Sequence, residues 1–168
     1  MFKRKIQIGV IGGEDKNLPP DKREKILKIA RKIGQEIAKN KAILISGGMS
    51  GVMEAACQGA YEKGGITVGT PGRKRKTSNP WVMVEICTPI DIGDYIFAGI
   101  LSCDAIIVLP GGTGTLAEIF IASRYKKPLI FIKDLSLELL EKINLKNKYI
   151  ADSAELAVKM SIKLSKKI

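Results

Sequence analysis

The sequence predicts an α/β fold, an open parallel sheet of six to seven strands with helices on both faces. Three observations lead there. Apolar runs of strand length alternate with segments of helical period. The runs are apolar at nearly every position, as in strands buried on both sides. Glycine clusters follow several of these runs, where a strand has to turn into a helix.

The elements follow in order. Residues 5–11 (KIQIGVI) are the first strand. Residues 21–39 place Ile26, Ile29, Ala30, Ile33, Ile37 and Ala38 at helical spacing. Residues 42–46 are the second strand, and 51–63 a helix with small residues on one side. Residues 66–70 are the third strand. Residues 71–81 (PGRKRKTSNPW) hold two prolines and four consecutive bases, which predicts a loop. A fourth strand at 82–87, a helix at 92–102 and a fifth strand at 104–109 come next. A helix at 114–125 and a sixth strand at 128–132 follow, then helices at 135–144 and 152–166. Residues 148–151 are a candidate last strand.

A chain of 168 residues without a linker, internal repeat or low-complexity stretch predicts a single domain over 1–168. With hydrophobic residues at 45% and charged ones at 27%, the composition is globular rather than disordered. Histidine is absent, which excludes His-based triads, His-liganded zinc and His proton shuttles. No metal site is predicted. The 28 Lys and Arg against 17 Asp and Glu give a net charge of +11. That balance favours anionic ligands without choosing among them, and a Lys-rich chain adapted to heat has the same balance. Aromatics at 5% leave little for stacking on single-stranded nucleic acid. Cys57, Cys87 and Cys103 form no CxxC pair, which fits a reducing cytoplasm rather than a disulfide framework. The first apolar run ends at Gly12-Gly13 without a cleavage-type sequence and is expected as a strand rather than a signal peptide. No run approaches the ~20 apolar residues of a membrane span.

In an open parallel sheet, ligands sit beyond the carboxyl ends of the strands. Three glycine clusters fall there. They are Gly12-Gly13 after the first strand, Gly47-Gly48-Met49-Ser50-Gly51 after the second, and Pro110-Gly111-Gly112-Thr113-Gly114-Thr115 after the fifth. The last two lead into helices, whose first amides are unpaired and partly positive. Glycine lets a phosphate approach that backbone closely, though it also simply makes tight turns. Two such loops at one edge, with the hydroxyls of Ser50, Thr113 and Thr115 beside them, favour a phosphorylated small-molecule ligand.

The Walker pattern is absent. Residues 112–117 (GTGTLA) match the dinucleotide fingerprint, with Asp134 about 20 residues on as the ribose-binding acid. Glu118 lies in the first turn of the following helix. It is either a favourable charge at a helix start or a carboxylate facing the glycine pocket. Arg73-Lys74-Arg75-Lys76 is either a solvated basic loop or one that closes over phosphates. Asp91 and Asp94 start the helix at 92–102, as cap charges or as groups facing the site.

Residues 46–60 (SGGMSGVMEAACQGA), then Gly64-Gly65 and Val68-Gly69, together with PGGTGTLAE at 110–118, resemble the LOG-like Rossmann proteins. That superfamily holds cytokinin-activating phosphoribohydrolases, molybdenum-cofactor carrier proteins and chains labelled lysine decarboxylases. The resemblance covers about residues 5–132, and its glycine and GVMEAA features are nearest the carrier-like branch. It implies a Rossmann-like fold, a homodimer or higher homo-oligomer, and a bound AMP-like nucleotide or molybdopterin-type cofactor on the glycine loops. Glu118 matches the catalytic glutamate of the phosphoribohydrolases. Their arginine, fifteen residues before the motif's proline, is replaced here by Tyr95, and no arginine occurs from 77 to 123.

Two functions follow. One is a nucleotide- or phosphorylated-cofactor-binding protein without a reaction of its own. The other is a nucleoside 5′-monophosphate phosphoribohydrolase releasing base and ribose 5-phosphate, with Glu118 stabilising positive charge on the ribose. Specific nucleic-acid binding has only the charge in its favour, since no recognition motif is present. Lysine decarboxylation needs a dedicated Schiff-base lysine, and nothing in the sequence singles one out. The helix at 92–102 is apolar nearly all round, and it and the helix at 114–125 are expected inside the fold or between subunits, with a dimer at least formed through one or both.

Overall fold

The computed structural model describes residues 4–72, 74–88, 92–135 and 144–166, and of residues 92–96 the backbone only. Most of the helix expected over 135–144 lies outside the described residues, as do Arg73, Asp91 and the side chains of Asp94 and Tyr95.

The chain runs β1 (Gln7–Ile11), α1 (Arg23–Lys39), β2 (Ile43–Ser46), α2 (Val52–Tyr61), β3 (Ile66–Gly72) and β4 (Val84–Cys87). It continues with α3 (Ile92–Ser102), β5 (Ala105–Val108), α4 (Thr113–Arg124), β6 (Leu129–Ile132), β7 (Lys148–Ala151) and α5 (Ala154–Ser165). A short 3-10 turn at Asp15–Asn17 follows β1. The strands form one seven-stranded sheet in the order β4-β3-β2-β1-β5-β6-β7. Every pair is parallel, and Ile8 of β1 sits opposite Leu44 on one side and Ala105 on the other. This is the Rossmann-like open sheet the alternation predicts.

The core lies on both faces of that sheet. Ile8 and Val10 of β1 pack with Ile26, Ile33 and Ile37 of α1, with Val52 and Ala56 of α2, and with Val158 of α5. Ile11 packs to the opposite face with Ile100 of α3 and with Ile119 and Ala122 of α4. Strands β5 and β6 are buried at every residue, whereas the edge strand β4 is partly exposed throughout. Burial of the central strands from both sides explains why their sequences are continuous apolar runs rather than alternating ones.

On the first face the helices touch backbone to backbone. A Cβ on Gly34 of α1 would lie 1.9 Å from the Ala56 carbonyl oxygen, and one on Gly59 of α2 would lie 1.9 Å from the Arg31 carbonyl oxygen. Each helix therefore supplies a glycine where the other's backbone passes, and α2 is seated tightly enough to aim its N-terminus at the sheet edge.

Two strand boundaries differ from expectation. β3 runs on to Gly72 instead of stopping at 70, because Gly72 still pairs with Cys87 beyond a register shift. β4 begins at Val84 rather than 82, because the Val82 amide closes a turn onto the Asn79 carbonyl at 3.2 Å. No helix among the described residues is long and apolar enough to cross a membrane.

Candidate functional site

Strands β2, β1 and β5 are neighbours, and each ends in one of the three glycine clusters. The boundary between β1 and β5 is also where strand order reverses, so the connections leave in opposite directions and open a crevice. The loops are tied together across it. The Gly13 amide donates to the Pro110 carbonyl at 2.9 Å, and the Val52 amide at the start of α2 donates to the Gly13 carbonyl at 3.0 Å. Gly51 permits the second contact. Its φ is +70°, and a Cβ there would come within 2.4 Å of the Gly13 oxygen.

Between the loops lies a cleft of about 230 Å³. The β1 side contributes Gly12, Gly13, Glu14 and Asn17, and the β2 side contributes Gly47, Met49 and Met53. Pro71 arrives from β3, and Gly112, Thr113, Gly114 and Thr115 from the start of α4, with Glu118 a turn further on. Gly48, Ser50, Gly51, Pro110 and Gly111 are not among the lining residues. Several of these build the loops behind it. Pro110 accepts the Gly13 amide, and a Cβ on Gly111 would lie 2.2 Å from the Thr115 hydroxyl oxygen.

Sequence reasoning missed Glu14, Asn17, Met53 and Pro71. The short 3-10 turn presents Asn17, and α2 presents Met53 on its first turn. Pro71 sits at the end of β3, which the sheet places beside β2. For Glu14 and Pro71 the available signal was position at the carboxyl end of a strand, and for Met53 its place in the helix turn just after the Gly47–Gly51 cluster. In the other direction, Asp134 is not among the residues that line the cleft. It lies among the residues of a separate groove with Lys28 and Glu155 and pairs with Lys25 at 3.7 Å.

The +11 net charge is not represented among the described lining residues of the cleft. Its described lining holds the acids Glu14 and Glu118 and no Lys or Arg. Glu14 pairs with Lys16 at 3.3 Å. Glu118 is half-buried and makes no hydrogen bond or ion pair among the described residues. Burial pushes its carboxyl up to about 7, because a desolvated carboxylate without a partner favours its neutral form.

Behind Glu118 opens a chamber of about 20 Å³ lined also by Ser46, Thr70 and Cys103, room for about one water molecule. Its thiol is no nucleophile. Burial pushes Cys103 up to about 12, and its Sγ–H donates to the Gly99 carbonyl at 3.1 Å.

The basic loop after β3 is anchored beside the cleft. The Asn79 side-chain amide donates to the carbonyls of Gly48 at 3.0 Å and Met49 at 2.9 Å. Glu85 of β4 accepts the amides of Lys76 at 2.6 Å and Ser78 at 3.1 Å. The Ser78 hydroxyl, without another partner among the described residues, lies beside that carboxylate. Together these donors hold Glu85 at about 2. Lys74, Arg75 and Lys76 remain exposed. Within hydrogen-bonding reach of the glycine cleft, then, are backbone amides, hydroxyls and carboxyls. That set can hold an oxyanion through amides and accept hydrogen bonds through Glu118.

Comparison with known proteins agrees with this architecture. A family model described as the SLOG cluster4 family matches residues 5–159. An uncharacterized protein of Archaeoglobus fulgidus is 36% identical over 128 residues, which is 76% of this chain and 80% of that one. The molybdenum cofactor binding protein of Rippkaea orientalis superposes with a TM-score of 0.82 at 32% identity, over 96% of this chain and 98% of that one. The molybdenum cofactor carrier protein of Chlamydomonas reinhardtii superposes with a TM-score of 0.82 at 29% identity, with the same coverage. With a family model matching residues 5–159 and a fold that superposes on both of those proteins over 96% of its length, this chain belongs to the SLOG cluster4 family.

Proposed function

We propose that the protein binds a phosphorylated, cofactor-sized small molecule of nucleotide or molybdopterin type in the glycine cleft, and holds it without a reaction of its own. The observation that carries this reading is Gly114. It is exposed in the first turn of α4, and a Cβ there would meet nothing within 4 Å. It has no positive φ. Neither packing nor backbone conformation calls for glycine, and glycine in a helix costs up to about 1 kcal/mol against alanine. A ligand lying against that backbone accounts for it.

The residues suit such a ligand. The first amides of α4 face a phosphate with the helix dipole behind them, and Met49, Met53 and Pro71 offer apolar contact to a flat ring. A metal carried by the ligand brings its own ligands. Among the described residues no group of three or more His, Cys, Asp or Glu is arranged to take it over. The absence of arginine from 77 to 123 removes the partner a ribohydrolase glutamate uses, and the likeness to molybdenum cofactor carriers supports holding over cleaving.

Native mass spectrometry of the purified chain tests this reading, alongside a Gly114→Ala variant. The expected result is a retained small molecule whose affinity drops at least tenfold in Gly114→Ala while stability stays equal or rises. Unchanged binding in that variant would remove the reading's main support.

A second reading, phosphoribohydrolase, is favoured by one observation: a carboxyl near 7 in the cleft is poised to change protonation during a reaction. It requires adenine and ribose 5-phosphate to appear from AMP and to vanish in Glu118→Gln.

A further inference from the structure

The polar groups of the cleft are unevenly arranged. Its donors are the backbone amides at the start of α4 with the Thr113 and Thr115 hydroxyls and the Asn17 side-chain amide, and it has no cationic side chain among the described lining residues. Its one unpaired acid is Glu118, set where the cleft meets the inner chamber. Met49, Met53 and Pro71 supply the apolar surface. A ligand that satisfies all three has an anionic end, a flat ring, and an edge that donates hydrogen bonds to a carboxylate. Glu118 is half-buried; a carboxylate partly withdrawn from water without a partner is costly, and two donors side by side are an arrangement that relieves it fully.

Building on the ligand-binding reading of the cleft, we propose that Glu118 recognises a paired N–H edge, the ring N–H and exocyclic amine of a 2-amino-4-oxopyrimidine. Guanine and pterins share this group. Both donors point the same way, spaced to meet the two oxygens of one carboxylate. Adenine presents one donor and one acceptor at the matching edge, and hypoxanthine lacks the amine. Glu118 is thereby a specificity residue that selects guanine- or pterin-type ligands over adenine-type ones. The desolvation that raises its pKa also strengthens any charge-assisted hydrogen bond it makes.

The test is calorimetric titration of the full chain with GMP, IMP, AMP, ribose 5-phosphate and the phosphate ester of 6-hydroxymethylpterin. GMP and the pterin ester are expected to bind at least tenfold more tightly than IMP or AMP. GMP differs from IMP only by the 2-amino group, so this comparison needs no variant. Which of the two binds more tightly assigns the natural ligand to a nucleotide or a pterin, and either order supports the paired edge. In Glu118→Gln the side chain presents one acceptor and one donor, the pattern that suits adenine. The preference should therefore collapse and turn toward AMP. A purely structural role for Glu118 would weaken all ligands alike.

Equal affinity for GMP and IMP, or a GMP preference that survives in Glu118→Gln, overturns the assignment while the ligand-binding cleft stands. Failure of every probe to bind, ribose 5-phosphate included, overturns both.

Discussion

The side-chain amide of Asn79 donates to the Met49 carbonyl at 2.9 Å, and through that contact the basic loop after β3 hangs from the glycine loop after β2. Met49 lines the cleft, so Asn79 couples the placement of Lys74, Arg75 and Lys76 to the shape of the site. It is further fixed by its Oδ1, which accepts the Trp81 amide at 3.1 Å.

Asn79→Ala removes the donor to two carbonyls and the acceptor for one amide. A loss of about 1–2 kcal/mol is expected, read by urea denaturation. Hydrogen exchange should quicken at residues 49–51 and 74–79 while the α1 and α2 amides stay protected. Unchanged exchange in both segments would show that the side chain does not couple the loops and that the backbone bond from the Asn79 amide to the Gly48 carbonyl, at 2.7 Å, suffices to hold them.

Gly34→Ala places a methyl where the Ala56 carbonyl already lies 1.9 Å from the ideal Cβ position. Helix propensity alone favours alanine by about 1 kcal/mol, yet overpacking against backbone costs about 1–3 kcal/mol or more. The variant should therefore be destabilised, with a lower thermal midpoint. A higher midpoint would mean that the two helices separate at little cost.

Glu118 makes stability depend on pH in a definite direction. Its carboxyl titrates at about 7 when folded against an ordinary value of 4.5. The folded state therefore holds the proton more tightly. Below 4.5 both states are protonated and the site costs nothing. As pH rises from 4.5 to 7 the unfolded chain ionises first, the native state loses ground, and above 7 the loss levels off. Glu118→Gln should match the unmodified chain near pH 4 and exceed it by about 1–3 kcal/mol at pH 8. Equal stability of the two proteins at pH 8 would contradict this.

We expect a second copy of the chain to cover the outer face of α3 and α4. Phe120 is 53% exposed and Tyr125 49%, with Phe97 and Leu101 at 37% and 40%. Phe97 and Tyr125 meet edge to face with centroids 6.3 Å apart. Exposed aromatic surface of this kind marks an interaction site. Sedimentation velocity at micromolar concentration should give a dimer or higher assembly, and Phe120→Glu should give a folded monomer. A monomeric unmodified chain would contradict the expectation.

The order of elements was legible in the sequence, because period and apolar run length are local properties. β7 appears at the residues expected, Lys148–Ala151, and α3 likewise at Ile92–Ser102. The glycine clusters and the PGGTGTLAE string were legible for the same reason, being contiguous. They brought Gly12, Gly13, Gly47, Met49, Gly112, Thr113, Gly114, Thr115 and Glu118 to one cleft.

Only the tertiary structure decided the rest. Sheet order put β2, β1 and β5 side by side and so joined three loops that lie up to a hundred residues apart. It brought Asn17, Met53 and Pro71 to the same cleft and sent Asp134 to a different groove. It also left the described lining of the cleft without Lys or Arg, although the basic loop hangs beside it. Net charge is a sum over the chain, whereas a ligand meets only the groups that the fold turns toward it, and here those are amides, hydroxyls and an unpaired carboxyl.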